Sequence, residues 1–296
     1  MQKSFEFVAP SGTRYRTARR PKSQLLKWIG NKQRFALQIC NQFPSDIGIY
    51  YEPFLGSGAV LATIGHGKSV GSDVYKPLVE IWQCLAKNPD QLIQWYRSRW
   101  NECHNGDPKD GYEAVLKKFN ETPNGADFVY LCRSCYGGVV RFRKADGYMS
   151  TPCGPHNPIA PDSFARRVRE WAQCVEGATF EHTDFEAAFE QAEKGDLIYC
   201  DPPYVDSQKI LYGAQTFSLS RLYKMIDQVS RRGVRVALSI DGSKKSGDHL
   251  CEIAVPDRLF AREVVVDVGR SMLKRFQRGG SDVADEVVTD RLLLNY

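Results

Sequence analysis

No stretch of this chain approaches the ~20 consecutive apolar residues that a membrane helix requires. Its N-terminus also lacks the apolar core of a secretory signal. Neither a membrane anchor nor export is expected. Cysteine is present, nine residues in all, but an odd count without an export signal argues against a disulfide scaffold and for reduced thiols in a cytoplasm. Zinc coordination lacks its second half. Cys132 and Cys135 form a C-x-x-C, yet Cys153 and Cys174 are scattered and no second close pair follows, so no metal is expected. A strong charge imbalance is missing too: 40 Lys and Arg against 35 Asp and Glu give +5 over 296 residues. That balance permits a polyanionic partner without demanding one. There are no repeats and no low-complexity tracts, and the apolar content of 42% is ordinary for a globular protein.

The basic residues that are present are clustered. Arg14, Arg16, Arg19, Arg20 and Lys22 crowd the N-terminus. Arg133, Arg141, Arg143 and Lys144 crowd the middle, and Arg270, Lys274, Arg275 and Arg278 lie near the end. Such runs are often no more than solvated faces. Three of them, beside glycines and aromatic rings, are equally the footprint of a nucleic-acid partner.

Hydrophobic periodicity outlines the fold. Residues 1–24 are polar, basic and aperiodic, which suggests a loosely ordered arm. Phe35, Leu37, Ile39 and Phe43 recur at helical spacing. IGIYYEPF (47–54) and KSVGSD (68–73) read as strands, with AVLATIG (59–65) as a short helix between them. A helical stretch over 76–100 breaks near Pro89, and 101–125 holds loops and a short helix. FVYLCRSCYGG (128–138) starts helical, and VVRFRKADGYMSTPCG (139–154) reads as a hairpin turning at Ala145-Asp146-Gly147. A helix over 163–174 precedes strands at 179–185, 196–200 and 235–241, with a helix near 219–232. Two long strands, 262–271 and 286–296, close the chain around a basic, Gly-rich loop. Strand–helix alternation at both ends implies one parallel-sheet α/β domain, built from 25–75 and 176–296 and interrupted by an insertion over 76–175.

Three motifs carry chemistry. PFLGSG (53–58) follows an apolar strand, and its glycines let backbone approach a ligand closely. Asp73 closes the next strand, where such an acid can accept ribose hydroxyls. A dinucleotide fingerprint needs a third glycine three residues beyond Gly58, but Leu61 stands there. That favours a nucleoside without a pyrophosphate. KWIGNK (27–32) sets Trp28 between two lysines and is by itself compatible with a plain core anchor. The sequence IYCDPPYVDS (198–207) ends a buried strand on an acid and follows it with two residues that donate nothing. Asp201 and the Pro202 carbonyl then present acceptors at a sheet edge, where open α/β sheets bind ligands. A planar amine with two N–H groups fits those acceptors. Held by both hydrogens, its lone pair can be aimed outward, and the positive charge that grows on nitrogen is stabilised. Tyr204 can stack on a base, an interaction worth about 1–3 kcal/mol.

KWIGNK, EPFLGSG, Asp73 and DPPY in this order resemble the Dam-type group of DNA amino-methyltransferases, over about Leu25 to the C-terminus. The resemblance implies a Rossmann-like methyltransferase sheet with a helical and hairpin-bearing target-recognition insertion. It implies S-adenosylmethionine as cofactor and double-stranded DNA as partner, with an adenine flipped from the duplex and methylated at N6 by direct attack. It further implies that Trp28, Lys32, Phe54, Gly56, Gly58, Asp73, Asp184, Phe185 and Asp201 line the cofactor site, with Phe217 of QTFS close by. Asp201, Pro202 and Tyr204 would hold the target base. YLCRSCYGGVVRFRKADGYMSTPCG (130–154) resembles the family's recognition stretch but has Cys132, Gly138 and Ser150 where asparagines stand there. Arg133, Arg141, Arg143 and Lys144 are the expected DNA-binding residues. The loop over 205–217 is expected to close over the extruded base. A monomer is expected, beside a separately acting restriction endonuclease if the chain serves a restriction–modification system. N4-cytosine methylation by the same clamp, amine methylation on RNA or protein, and a catalytically silent DNA-binding homologue remain open alternatives.

Overall fold

The computed structural model of the chain describes residues 7–8, 14–15, 20–143, 145–203, 217–244, 249–250, 253–270 and 287–296. Near the N-terminus two short strands, β1 (Phe7–Val8) and β2 (Arg14–Tyr15), pair antiparallel where the sequence suggests an unstructured arm. Residues 20–24 are held rather than loose. Trp171 Nε1 and Arg167 Nη1 donate to the carbonyls of Ser23 and Gln24, each at 2.8 Å. Gln33 Nε2 donates to the Pro21 carbonyl at 2.7 Å. The helical spacing over 35–43 yields only α1 (Ala36–Cys40), whose N-cap, Phe35, has no side-chain oxygen to offer.

The strands β3 (Tyr50–Glu52) and β4 (Ser69–Asp73) flank α2 (Ala59–Ile64), as their apolar runs and glycine turns suggest. All of β3 is buried, as suits a central strand of a parallel sheet covered on both faces. Five helices follow: α3 (Lys76–Lys87), α4 (Pro89–His104), α5 (Pro108–Glu121), α6 (Gly125–Ser134) and α7 (Pro161–Cys174). Prolines open four of them in the first turn, where a missing N–H breaks no helical bond. Asn88, Asp107 and Asn124 cap α4, α5 and α6 through side-chain oxygens. With 14 residues, α5 is longer than the short helix expected there. Between α6 and α7 the expected hairpin forms only in part. Arg143 N donates to Tyr148 O and Ser150 N to Arg141 O, both at 2.9 Å. Single bridges join Phe142 to Met149 and Cys135 to Cys153, in place of continuous strands.

The chain then runs through β5 (Ala178–His182), α8 (Glu186–Gln191), β6 (Leu197–Cys200), α9 (Leu219–Arg231), β7 (Arg235–Lys244), β8 (His249–Leu250), β9 (Arg262–Arg270) and β10 (Val287–Leu294). The main sheet has the order β5-β4-β3-β6-β7-β10-β9, with β8 paired to β7. The first five strands are parallel. The terminal β10 runs antiparallel between β7 and β9. One face packs on Trp82, Phe128 and Trp171, the other on Phe189, Leu222 and Ile226 of α8 and α9. This is a Rossmann-like sheet with an antiparallel closing hairpin. Its chain starts at the centre with β3, moves outward through β4 to β5, and resumes on the other side of β3 with β6. The order therefore reverses between β3 and β6, and such a reversal opens a ligand crevice beyond the strands' carboxyl ends.

Candidate active site

A cleft of about 970 Å³, counting the solvent at its open mouth, lies over that reversal. Residues at the carboxyl ends of four strands reach it: Glu52 and Phe54 from β3, Asp73 from β4, Asp184 and Phe185 beyond β5, and Asp201 beyond β6. Trp28, Lys32 and Gly56 complete one side, and Phe217 the other. Sequence reasoning placed all of these together except Glu52. Gly58 and Pro202 do not line the cleft, although Pro203 does. Tyr204, Lys144 and most of the expected gating loop fall outside the described residues.

The glycine turn is shaped by its neighbours. Gly56 has φ +44°, and a Cβ there would stand 2.9 Å from Trp28 Nε1. Its N–H donates to Asp73 Oδ2 at 3.1 Å, while Tyr75 N donates to Asp73 Oδ1 at 3.0 Å. Burial pushes the Asp73 carboxyl above its ordinary range, and these two backbone donors oppose the rise. The acid is thus oriented by the turn it faces. Gly58 has a different reason to be glycine: with φ +59°, its Cβ would meet the Trp82 ring at 2.8 Å. It seats the start of α2 on α3, and the hydrogen bond from Trp82 Nε1 to Gly56 O at 3.2 Å ties the same turn from below.

Three charged side chains meet at the opposite wall. Lys32 Nζ lies 3.0 Å from Asp201 Oδ1 and 3.3 Å from Asp290 Oδ2. Burial alone would lower the lysine's pKa, but the two carboxylates outweigh it and hold the ammonium charged. Lys32 therefore reaches the cleft as the partner of Asp201. Close by, Tyr50 Oη donates to Glu52 Oε2 at 2.7 Å. Burial, opposed by the Tyr50 hydroxyl and aided by the Asp201 charge, raises the Glu52 carboxyl to about 8. Glu52 therefore holds its proton to a higher pH than an exposed carboxyl does.

The remaining wall is aromatic. Phe54 stacks on Phe185 at 5.2 Å between centroids, and Phe217 stands edge-on to Phe54 at 5.5 Å. Asp184 is fixed by Arg221 of α9, whose Nη2 lies 3.3 Å away while its Nε pairs with Glu186 at 2.9 Å. The same guanidinium sits 5.1 Å over the Phe185 ring. A pocket with acids at one end and flat rings at the other can take a cationic group and a planar heterocycle together.

The expected DNA-binding residues divide. Arg133 is corrected by its burial: only 3% of it is exposed. Its Nη1 donates to the carbonyls of Leu25 at 2.7 Å and Gln24 at 3.2 Å. Burial, with Arg167 nearby, lowers its pKa to about 10. It fastens the segment before Trp28 to α6 and has no surface to offer a phosphate. Arg141 and Arg143 are exposed. Arg143 pairs with Asp146 at 2.8 Å and lies 4.2 Å over the Tyr148 ring. Between them Phe142 is buried against Tyr75, 5.1 Å between rings, and Tyr75 lines the cleft. The two arginines are therefore carried beside the cleft's rim.

Sequence reasoning missed Glu52, Asp290, Tyr75 and Arg221. Glu52 stood in the quoted EPF, and Asp290 in β10 just before the run Leu292–Leu294. A carboxylate on the same strand face as Leu292 and Leu294 is the signal that was there to be used. Among the described residues, no helix is long and apolar enough to cross a membrane.

Comparison with known proteins bears on this site. A family model described as D12 class N6 adenine-specific DNA methyltransferase matches residues 28–267. The chain is 28% identical over 189 residues to the Retron Ec67 DNA adenine methylase of Escherichia coli, an alignment covering 62% of this chain and 64% of that protein. It is 28% identical over 232 residues to the DNA N-6-adenine-methyltransferase of Escherichia phage P1, covering 74% of this chain but 30% of that longer protein. Similarity to the type II methyltransferase M.MjaIII of Methanocaldococcus jannaschii is 27% over 241 residues, covering 72% and 82%. The chain thus spans less than two thirds of the first two of these relatives.

Proposed function

The chain belongs to the D12 class of N6 adenine-specific DNA methyltransferases, and from that premise we propose that it transfers a methyl group from S-adenosylmethionine to the N6 amine of adenine in double-stranded DNA. The observation that carries the reading is one cleft joining the Asp73-bound glycine turn to Asp201. S-adenosylmethionine supplies, when bound, an electrophilic methyl group on a sulfonium. The walls fit such a group: Asp73 offers acceptors to a diol, and Phe54, Phe185 and Phe217 offer flat surfaces to a purine. Absence of the third glycine of a pyrophosphate site is consistent with a nucleoside lacking phosphates.

At the other end Asp201 accepts an N–H of the target amine. The acceptor draws the nitrogen's lone pair out of conjugation and stabilises the charge that forms on it. Pro202 and Pro203 have no backbone N–H to donate there, and Lys32 already pairs with the acid through one oxygen. Reaching this acid requires the adenine to leave the duplex, at a cost of a few kcal/mol. Arg141 and Arg143, beside the rim, are suited to phosphate or base edges of the surrounding duplex. The match to a type II methyltransferase supports a restriction–modification setting, and the match to a retron methylase supports a setting without one.

The test is direct. Unmethylated duplex DNA is incubated with the protein and isotopically labelled S-adenosylmethionine, then digested to nucleosides. N6-methyladenine carrying the label is the expected product. N4-methylcytosine would replace the proposed base, and an unlabelled digest would mark a binding protein without activity.

A further inference from the structure

The guanidinium of Arg221 meets three neighbours at once, and two of them line the aromatic end of the cleft. Its Nη2 donates to Asp184 Oδ1 at 3.3 Å and its Nε to Glu186 Oε1 at 2.9 Å. Its central carbon lies 5.1 Å from the centre of the Phe185 ring. A flat fork with donors along its edges can serve two carboxylates and a ring together, whereas a lysine ammonium is a single point of charge.

Neither helix formation nor stability accounts for this arrangement. Arg221 stands in the first turn of α9, which holds no acid, and a positive side chain there opposes the helix dipole. Its ion pairs join side chains that are 41%, 43% and 36% exposed for Arg221, Asp184 and Glu186, and exposed pairs contribute little to folding. What the contacts do is hold a carboxylate in place. Asp184 Oδ1 also accepts the Glu186 N–H at 3.1 Å. Among the described residues both contacts of this carboxylate fall on Oδ1, which leaves Oδ2 as the acceptor for a ligand. Asp184 and Phe185 are consecutive and both line the cleft, so a flat ring and a restrained acceptor are presented side by side.

Resting on the function proposed above, we propose that Arg221 is a positioning residue that acts through Asp184, making the cleft select a purine with an amino group at C6 over one with an oxo group. A purine lying against the aromatic wall turns its edge to Asp184. A 6-amino group donates to the held carboxylate. A 6-oxo group sets oxygen against oxygen and leaves the acceptor unmet. Without Arg221 the acid loses one of the two restraints on Oδ1 and can turn away to water, and the discrimination weakens with it.

Calorimetric binding of S-adenosylhomocysteine and of its 6-oxo counterpart, S-inosylhomocysteine, is compared for wild type, Arg221→Met and Arg221→Lys, with a thermal melt of each. Wild type is expected to favour the adenosyl ligand by about tenfold or more, as one hydrogen bond to a charged acceptor implies. In Arg221→Met the preference should narrow to about threefold or less, through weaker adenosyl binding, while the melting temperature stays within about 2 °C of wild type. Arg221→Lys can hold Asp184 but not Glu186 as well, and should keep part of the preference. The KM for S-adenosylmethionine should rise about threefold or more in Arg221→Met with little change in kcat, because the adenine is held alike before and during transfer. Equal binding of the two ligands by wild type, or the same loss of affinity for both in Arg221→Met, overturns the proposal. So does a wild-type preference for the 6-oxo ligand, which would mean that the guanidinium itself donates to the base. Wild-type protein that binds with the expected preference yet makes no N6-methyladenine strikes the functional reading alone.

Discussion

Asp201 and Glu52 are two carboxyls on neighbouring strands with opposite assignments, and their surroundings set the difference. Asp201 is paired with a lysine ammonium at 3.0 Å, whereas Glu52 has a tyrosine hydroxyl and burial. Replacing Asp201 with alanine leaves Lys32 paired with Asp290, so the fold should survive. Methyl transfer should fall by about 10²–10³, while S-adenosylmethionine still binds measurably by calorimetry. Undiminished methylation of duplex DNA by Asp201→Ala would remove the acid from the chemistry. For Glu52 the sign follows from a pKa raised from 4.5 to about 8 in the folded state. The folded protein holds this proton more tightly than the unfolded chain, so the associated stability is complete below 4.5 and is lost as pH rises through about 8. Glu52→Gln stays neutral throughout. Its melting temperature should gain on wild type steadily across that interval, and parallel curves would place the Glu52 proton elsewhere. Asp201 was legible because it ends the apolar run LIYC before two prolines, and Asp73 because it closes the second strand after the glycine turn. Glu52 and Asp290 were not, because what makes them notable is the burial of a charge, and burial is a property of the neighbours that tertiary packing supplies.

Among the elements, strands and helices marked at both ends were the ones the sequence made plain. Asp73, Asp201 and Pro89 are such marks, and β4, β6 and α4 lie where they suggest. The short α8 was missed because six residues give less than two turns of periodicity. The hairpin over 139–154 was overdrawn because its alternating residues pair with the body, Phe142 with Tyr75 above all, rather than with one another. The glycine turn was expected to bring backbone close to a ligand; within the protein its two glycines serve different neighbours. Gly56 yields to Trp28 and belongs to the cleft; Gly58 yields to Trp82 and belongs to the packing of α2 on α3. Gly58→Ala must therefore place a Cβ 2.8 Å from a fully buried ring, at a φ of +59°. The conformation alone costs about 1–2 kcal/mol. We expect a melting temperature lower by roughly 4 °C or more, with the Kd for S-adenosylmethionine in the folded fraction nearly unchanged. An unaltered melt would show that Trp82 can give way.

Across the whole molecule, basic residues that look alike in sequence are divided between holding the fold and meeting a partner. Arg133 donates inward to Leu25 and Gln24 and ties the segment carrying Trp28 and Lys32 to the inserted helices. Arg141 and Arg143, further along the chain, face solvent beside the cleft. This division predicts that stability and DNA binding separate by position. Arg133→Met leaves a buried carbonyl without its charged donor, and should cost about 2–3 kcal/mol in urea unfolding. In the protein that remains folded, the salt dependence of DNA binding should be that of wild type. The double variant Arg141→Ala, Arg143→Ala should unfold within about 0.5 kcal/mol of wild type, since an exposed pair such as Arg143–Asp146 contributes little. Its affinity for duplex DNA should fall, and the slope of log K against log salt should shrink by about 0.9 for each phosphate no longer neutralised, or about 2 for the pair. Measuring both variants by titration at several salt concentrations separates the two roles. If the double variant binds with an unchanged slope, the rim arginines do not touch the backbone, and the duplex must approach the cleft from another side.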